Sequence, residues 1–160
     1  MHTEFMQSFN TYGDAIFRFC LVKVSNQELA EDMTQETFMR YWQSLRAGKT
    51  MTNTRSFLYT IANNLAKDWY KKKKADSLDS FMDTGFEPKT TEVSPEVNAA
   101  HNELIAAMQD MEAMDKEVLL LRHVEGLPPK DIADILGETA NTVSVRLNRA
   151  TTRLKHNLGI

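Results

Sequence analysis

The 160-residue sequence predicts an all-α fold: two small helical domains, an N-terminal helical bundle and a C-terminal helix-turn-helix, joined by a flexible linker. Three observations predict it. Apolar residues recur at helical spacing along both ends of the chain, residues 75–98 keep no period, and no segment alternates as a strand would. The predicted domains are residues 1–74, a linker over 75–98, and residues 99–160.

The first helix is read from Phe5, Phe9, Tyr12, Ile16 and Phe19, which form one stripe. Ser25 or Asn26 is suited to cap the next helix, about Gln27 to Leu45, with Ala30, Phe38, Tyr41 and Leu45 inward and Met33 at the edge of that face. Gly48 ends it, and Lys49 to Arg55 forms a polar loop. Ser56 is then expected to cap a helix that puts Phe57, Leu58, Ile61, Leu65 and Trp69 on one face and runs into Lys71–Lys74. The stretch 75–98 contains Asp76, Asp79, Asp83, Gly85, Glu87, Pro88, Ser94 and Pro95, the composition of a tether. Fully extended, such a tether reaches roughly 80 Å.

Beyond it, Leu104, Met108 and Met111 mark one helix, and Val118, Leu121 and Val124 the next. Gly126 breaks the pattern, and Pro128 and Pro129 suit the first turn of a short helix through Ile132, Ile135 and Leu136. Gly137 stops that helix, and Thr139 to Thr142 supplies a turn and cap. The last helix carries Val143, Leu147, Ala150, Leu154 and Leu158. A short helix, a glycine turn and a longer basic helix make a helix-turn-helix pattern.

Charge is distributed unevenly. The net charge is −3, yet residues 1–74 carry +4, residues 75–98 carry −5 and residues 99–160 carry −2. Basic charge gathers at the end of each domain: residues 67–74 are +4, and residues 139–160 hold Arg146, Arg149, Arg153 and Lys155 with no acid. Two local basic surfaces on an acidic chain suit nucleic-acid contact that needs more than bulk attraction.

On the last helix each residue advances by about 100°. With Val143 inward, Leu147, Ala150 and Leu154 follow it. Asn141, Val145, Asn148 and Thr152 then point outward, flanked by Ser144 and Arg149, while Arg146 and Arg153 share a lateral edge. Amides read base edges, an outward valine touches a thymine methyl, and edge arginines hold phosphates. In the first domain, Asn64, Lys67, Asp68 and Lys71 form a polar stripe beside the loop. Such a stripe suits separated bases.

At these residues the sequence resembles the extracytoplasmic-function sigma factors of bacterial RNA polymerase, within the sigma-70 family. The segment from Leu29 to Trp42 is similar to the family helix that grips the polymerase clamp. Asn53 to Trp69 is similar to the part that melts and reads the minus-ten element. Leu119 to Leu136, followed by Thr142 to Ala150, resembles the region 4 helix-turn-helix that reads the minus-thirty-five element.

The resemblance implies roles. Asp32, Gln35, Glu36 and Arg40 meet the polymerase; Lys49, Asn53, Arg55, Asn64, Lys67, Lys71 and Lys72 serve the minus-ten element. Asn141, Ser144, Val145, Arg146, Asn148, Arg149 and Arg153 serve the minus-thirty-five element. It also implies core RNA polymerase and promoter DNA as partners, an anti-sigma factor as a further partner, and a cytoplasmic location, with the anti-sigma factor able to hold the chain at the inner membrane. The acidic linker is expected to mimic RNA charge in a polymerase channel. Thr60, Ser144-Val145 and Thr151 stand where the family commonly carries more basic or polar residues.

Other chemistry is poorly served. Glu31, Asp32 and Glu36 suggest a metal site only superficially, because His2, His101, His123 and His156 are scattered and the acids face outward. No catalytic residue, metal, cofactor or small-molecule substrate is expected. Cys20, the only cysteine, lies in an apolar pattern and is expected to be a buried thiol; no disulfide can form within the chain. The rival reading is a stand-alone helix-turn-helix regulator, which leaves the first domain without a job.

Overall fold

The computed structural model describes residues 1–76 and 95–160. Among them all regular structure is helical. The chain divides into two compact units, with the division falling between residues 88 and 89. The expected tether lies for the most part outside the described residues; the helices at its two sides run to Asp76 and start at Pro95.

The first unit is a three-helix bundle of α1 (His2–Val24), α2 (Gln27–Arg46) and α3 (Thr54–Asp76), each packed against the other two. Ser25 closes α1 in a left-handed conformation (φ 55°), its N–H donating to the Leu21 carbonyl. The α2 cap is Asn26, whose Oδ1 accepts from the Leu29 N–H at 3.0 Å. Ile16, Phe19, Cys20 and Val24 of α1 meet Ala30, Met33, Phe38, Tyr41 and Leu45 of α2 in the core. Met33 lies within the buried face rather than at its edge.

The N-terminal end of the stripe behaves differently. Phe9 is 46% exposed, because it stands at the open end of an aromatic cluster. Phe5 stacks on Tyr41 at 6.0 Å and meets the Trp42 ring edge-on at 5.2 Å, while Phe9 meets Phe38 at 5.1 Å. Offset and edge-on contacts of this kind add about 0.5–1.5 kcal/mol each beyond area burial.

Helix α3 departs from expectation twice. Its cap is Asn53, not Ser56: Asn53 Oδ1 accepts from the Ser56 N–H at 3.0 Å, and the Asn53 carbonyl accepts from the Phe57 N–H. Ser56 therefore sits inside the first turn and is buried. The buried face is Ser56, Leu58, Tyr59, Ala62, Asn63 and Ala66, whereas Phe57, Ile61, Leu65 and Trp69 are half-buried along its flanks. Ser56, Ala62 and Ala66 keep parts of that face small, beside the fully buried Leu58 and Tyr59.

The second unit is built around α7 (Ala140–Leu158). It packs against α4 (Pro95–Met108), α5 (Ala113–Leu119) and α6 (Pro129–Leu136). Helix α5 continues into a π-helical turn, Leu120–Val124, that the sequence pattern did not announce. Val118, Leu119, Leu121, Leu127, Ile132, Ala133, Ile135, Val143, Leu147 and Ala150 make the core, with Met111 buried just after α4. Leu104 and Val124 were expected inward and are exposed; α4 packs mainly on α7, and Val124 ends the π turn.

Proline and glycine punctuate α6 as expected. Pro129 opens the helix, and Gly137 ends it at φ 68°, the left-handed region that glycine enters without steric cost. Thr139 Oγ1 accepts from the Thr142 N–H at 3.1 Å and caps α7. That cap fixes where the following helix begins and therefore which of its residues face out.

Candidate nucleic-acid interface

Helix α7 presents a polar face because its apolar residues are used up inside. Val143, Leu147 and Ala150 are buried and Leu154 and Leu158 are half-buried. On the opposite side Asn141, Ser144, Val145, Asn148, Arg149 and Thr152 are exposed, Val145 by 49%. The Thr152 hydroxyl donates to the Asn148 carbonyl at 2.9 Å. Amides, an exposed valine and an arginine on one helix face can contact base edges in a major groove.

The two edge arginines are already engaged. Arg146 Nη1 lies 3.3 Å from Glu138 Oε1, with side chains 27% and 28% exposed. Arg153 Nη2 lies 3.7 Å from Asp110 Oδ2, at 59% and 61% exposure. Arg149 makes no ion pair among the described residues. Sequence reading missed Glu138 altogether: the pair spans the turn, and a separation of eight residues carries no helical signature.

Helix α3 carries the other basic face. Asn64, Lys67, Asp68, Lys71 and Lys72 are all exposed, so the stripe read from spacing lies on the surface. At its end the Lys73 ammonium sits 4.8 Å from the Trp69 ring, and Trp69 meets Tyr70 edge-on at 4.8 Å. The Tyr70 hydroxyl donates to the Lys23 carbonyl, tying this end of α3 to the end of α1. Burial pushes the Tyr70 phenol above its ordinary pKa. Half-buried Trp69 with a cation beside it offers a stacking surface that the expected inward placement had hidden.

In the connecting loop Lys49 is exposed. Asn53 is partly consumed by its capping bond, and Arg55 lies 6.0 Å from the Tyr59 ring, half-buried. Thr60 donates back to the Ser56 carbonyl at 2.8 Å and takes no part in the exposed stripe.

On α2, Asp32, Gln35 and Arg40 are exposed and Glu36 is half-exposed. Arg40 Nε contacts Glu36 Oε1 at 2.9 Å across one turn. This face is charged on both signs and points away from Phe38, Tyr41 and Leu45. Among the described residues no group of three or more His, Cys, Asp or Glu is placed to hold a metal, and no helix is long and apolar enough to cross a membrane.

Residues 9–75 match the family model for sigma-70 region 2, and residues 101–154 match that for sigma-70, region 4. Among curated relatives, the RNA polymerase sigma factor YlaC of Bacillus subtilis is 25% identical over 154 residues, covering 94% of this chain and 89% of its own. The ECF RNA polymerase sigma factor SigW of the same species is 27% identical, covering 92% and 84%. In solved structures the fold is similar to that of the sigma factor RpoE of Bartonella quintana, crystallised with the anti-sigma factor NepR, at TM-score 0.74 and 23% identity over 98% of each chain.

Proposed function

The chain belongs to the sigma-70 family as an ECF sigma factor, and on that premise we propose how its residues divide the work of initiation. The protein is a promoter-recognising initiation factor of RNA polymerase. Its partners are core RNA polymerase and promoter DNA. The family is one of non-enzymatic initiation factors, and its members direct a polymerase that does the chemistry.

In our reading α7 enters the major groove at the minus-thirty-five element. Asn141, Ser144, Val145, Asn148 and Arg149 contact bases, and Arg153 lies along the phosphate edge. Lys49, Asn53, Arg55, Asn64, Lys67, Lys71 and Lys72 engage the minus-ten region, with Asn64 and Lys67 beside the separated strand. Holding an extruded base offsets the unstacking cost of a few kcal/mol, so opening needs thermal energy and no nucleotide hydrolysis. Asp32, Gln35, Glu36 and Arg40 dock the polymerase. The domains follow as residues 1–74 and 99–160, with the acidic segment 75–98 passing between them.

The observation that carries this reading is the acid-free outward face of α7, held by Val143, Leu147 and Ala150 behind a glycine turn and a threonine cap. We further assign the chain to the cytoplasm, where its polymerase works, and to control by an anti-sigma protein, as RpoE of Bartonella quintana is paired with NepR.

Run-off transcription with core polymerase and the purified chain tests the reading. Promoter-specific starts are expected from these two components alone. A helix-turn-helix regulator acting from outside the polymerase gives none, and that result overturns the assignment.

A further inference from the structure

We propose that Glu138 is a positioning residue that withdraws Arg146 from the DNA backbone and thereby lowers the part of DNA binding by α7 that is blind to sequence. This rests on the reading of α7 as the promoter-contacting helix.

The carboxylate is placed by the turn, not by chance. Gly137 ends α6 in the left-handed conformation, and the Glu138 N–H donates to the Ala133 carbonyl at 2.9 Å, which locks the backbone just ahead of the Thr139 cap. From there the side chain reaches along α7 to Arg146, 3.3 Å away. Both side chains are about three-quarters buried, so solvent screens them less than a surface pair. The site at the head of α7 also suits an anion, since the helix N-terminus is its positive end.

The neighbouring pair shows the contrast. Arg153 and Asp110 are more than half exposed, and Asp110 also accepts from the Asn157 amide at 3.1 Å. That contact is loose and open to exchange with a phosphate. Arg146 is held twice over, by burial and by an anchored partner. An arginine neutralised in this way contributes little to binding that is blind to sequence. Discrimination then falls to Arg149, Asn148 and Val145 on the free face.

The test uses the full chain bound to core polymerase. Its ligands are a promoter duplex that supports run-off starts and the same duplex with its minus-thirty-five element shuffled. Glu138→Gln is expected to tighten both duplexes alike and to steepen the dependence of log affinity on log salt by about 0.9, one added phosphate contact. Between roughly 50 and 200 mM salt its advantage over wild type shrinks about threefold. Glu138→Asp is expected to restore most of the wild-type slope. In an Arg146→Gln background, Glu138→Gln is expected to leave the slope unchanged.

Several results overturn the proposal. One is an unaltered slope in Glu138→Gln whose helical circular dichroism matches wild type. Another is a steeper slope that persists in the Arg146→Gln background, which makes Glu138 a plain negative charge near DNA. If wild-type holoenzyme fails to separate the promoter from its shuffled form, the reading of α7 falls first and takes this inference with it. If wild type discriminates and Glu138→Gln does not change the slope, only the inference falls.

Discussion

Ser8 on α1 and Tyr41 on α2 share a hydrogen bond of 3.0 Å in the interior of the first unit, with Tyr41 fully buried and Ser8 nearly so. It is a polar link between two helices joined mainly by aromatic and aliphatic packing. Removing one partner leaves a buried hydroxyl unpaired, which costs about 1–3 kcal/mol.

Ser8→Ala is therefore expected to destabilise the protein by about 1–3 kcal/mol in urea unfolding. Tyr41→Phe is expected to cost less, because the freed Ser8 hydroxyl can turn back to a carbonyl of its own helix. The double variant Ser8→Ala/Tyr41→Phe is expected to lose well under the sum of the two single losses, because neither hydroxyl is left behind unpaired. Additive losses would show that the hydroxyls are not coupled.

Cys20 is fully buried, and burial raises its thiol from the ordinary 9.0 to about 11, against a smaller lowering by Thr34. The folded state holds its proton longer than the unfolded chain does. Stability from this group is thus complete below pH 9 and is lost as pH climbs toward 11. By pH 10 the loss is about 1 kcal/mol. Denaturant unfolding at pH 8 and pH 10, compared with Cys20→Ala, isolates the effect, since every other group is shared by the two proteins. An equal fall in the two proteins would contradict it. Thiol-alkylating reagents are expected to react with Cys20 only on unfolding.

Gly137 has open space around its α-carbon, so a methyl group meets no neighbour there. Its φ of 68° is the constraint. Gly137→Ala is expected to cost roughly 1–2 kcal/mol, the penalty of a left-handed non-glycine residue, and Gly137→Asn less, because asparagine tolerates that region better. Thermal unfolding of the three proteins should rank them Gly, Asn, Ala. An alanine variant as stable as wild type would mean that the turn relaxes and that Glu138 is not rigidly held.

The helices and the outward face of α7 were legible because a long helix with one buried stripe has a strong 3.6-residue period. Val143, Leu147 and Ala150 set the phase, and their opposites follow by geometry. The register of α3 was not legible for a related reason. Phe57, Leu58, Tyr59, Ile61, Ala62, Leu65 and Ala66 crowd the helix with apolar positions. Size does not rank them: Leu58 and Tyr59 are fully buried beside Ala62 and Ala66, while Phe57, Ile61 and Leu65 stay on the flanks. Asn63 escaped notice because nothing in a sequence marks a buried amide; it is fully enclosed, with no hydrogen-bond partner among the described residues for either polar atom. The α3 cap was ambiguous between two cap-type residues three apart, and only the geometry selects Asn53. Ion pairs across a turn, such as Glu138 with Arg146, depend on the turn's conformation and not on spacing.

Arg149 is the arginine on the exposed face of α7 that makes no ion pair among the described residues, and it stands beside Asn148 and Val145. An arginine so placed can donate two parallel hydrogen bonds to a guanine edge, the commonest specific contact in the major groove. Arg149→Ala is therefore expected to weaken holoenzyme binding to its promoter by about 1–3 kcal/mol and to relax preference at one base position. Arg146→Ala, which removes a cation already neutralised by Glu138, is expected to change sequence preference far less. Competition binding against duplexes varied one base pair at a time distinguishes the two. If Arg149→Ala weakens every duplex by the same factor, the guanidinium holds a phosphate, and base reading on this helix passes to Asn148 and its neighbours.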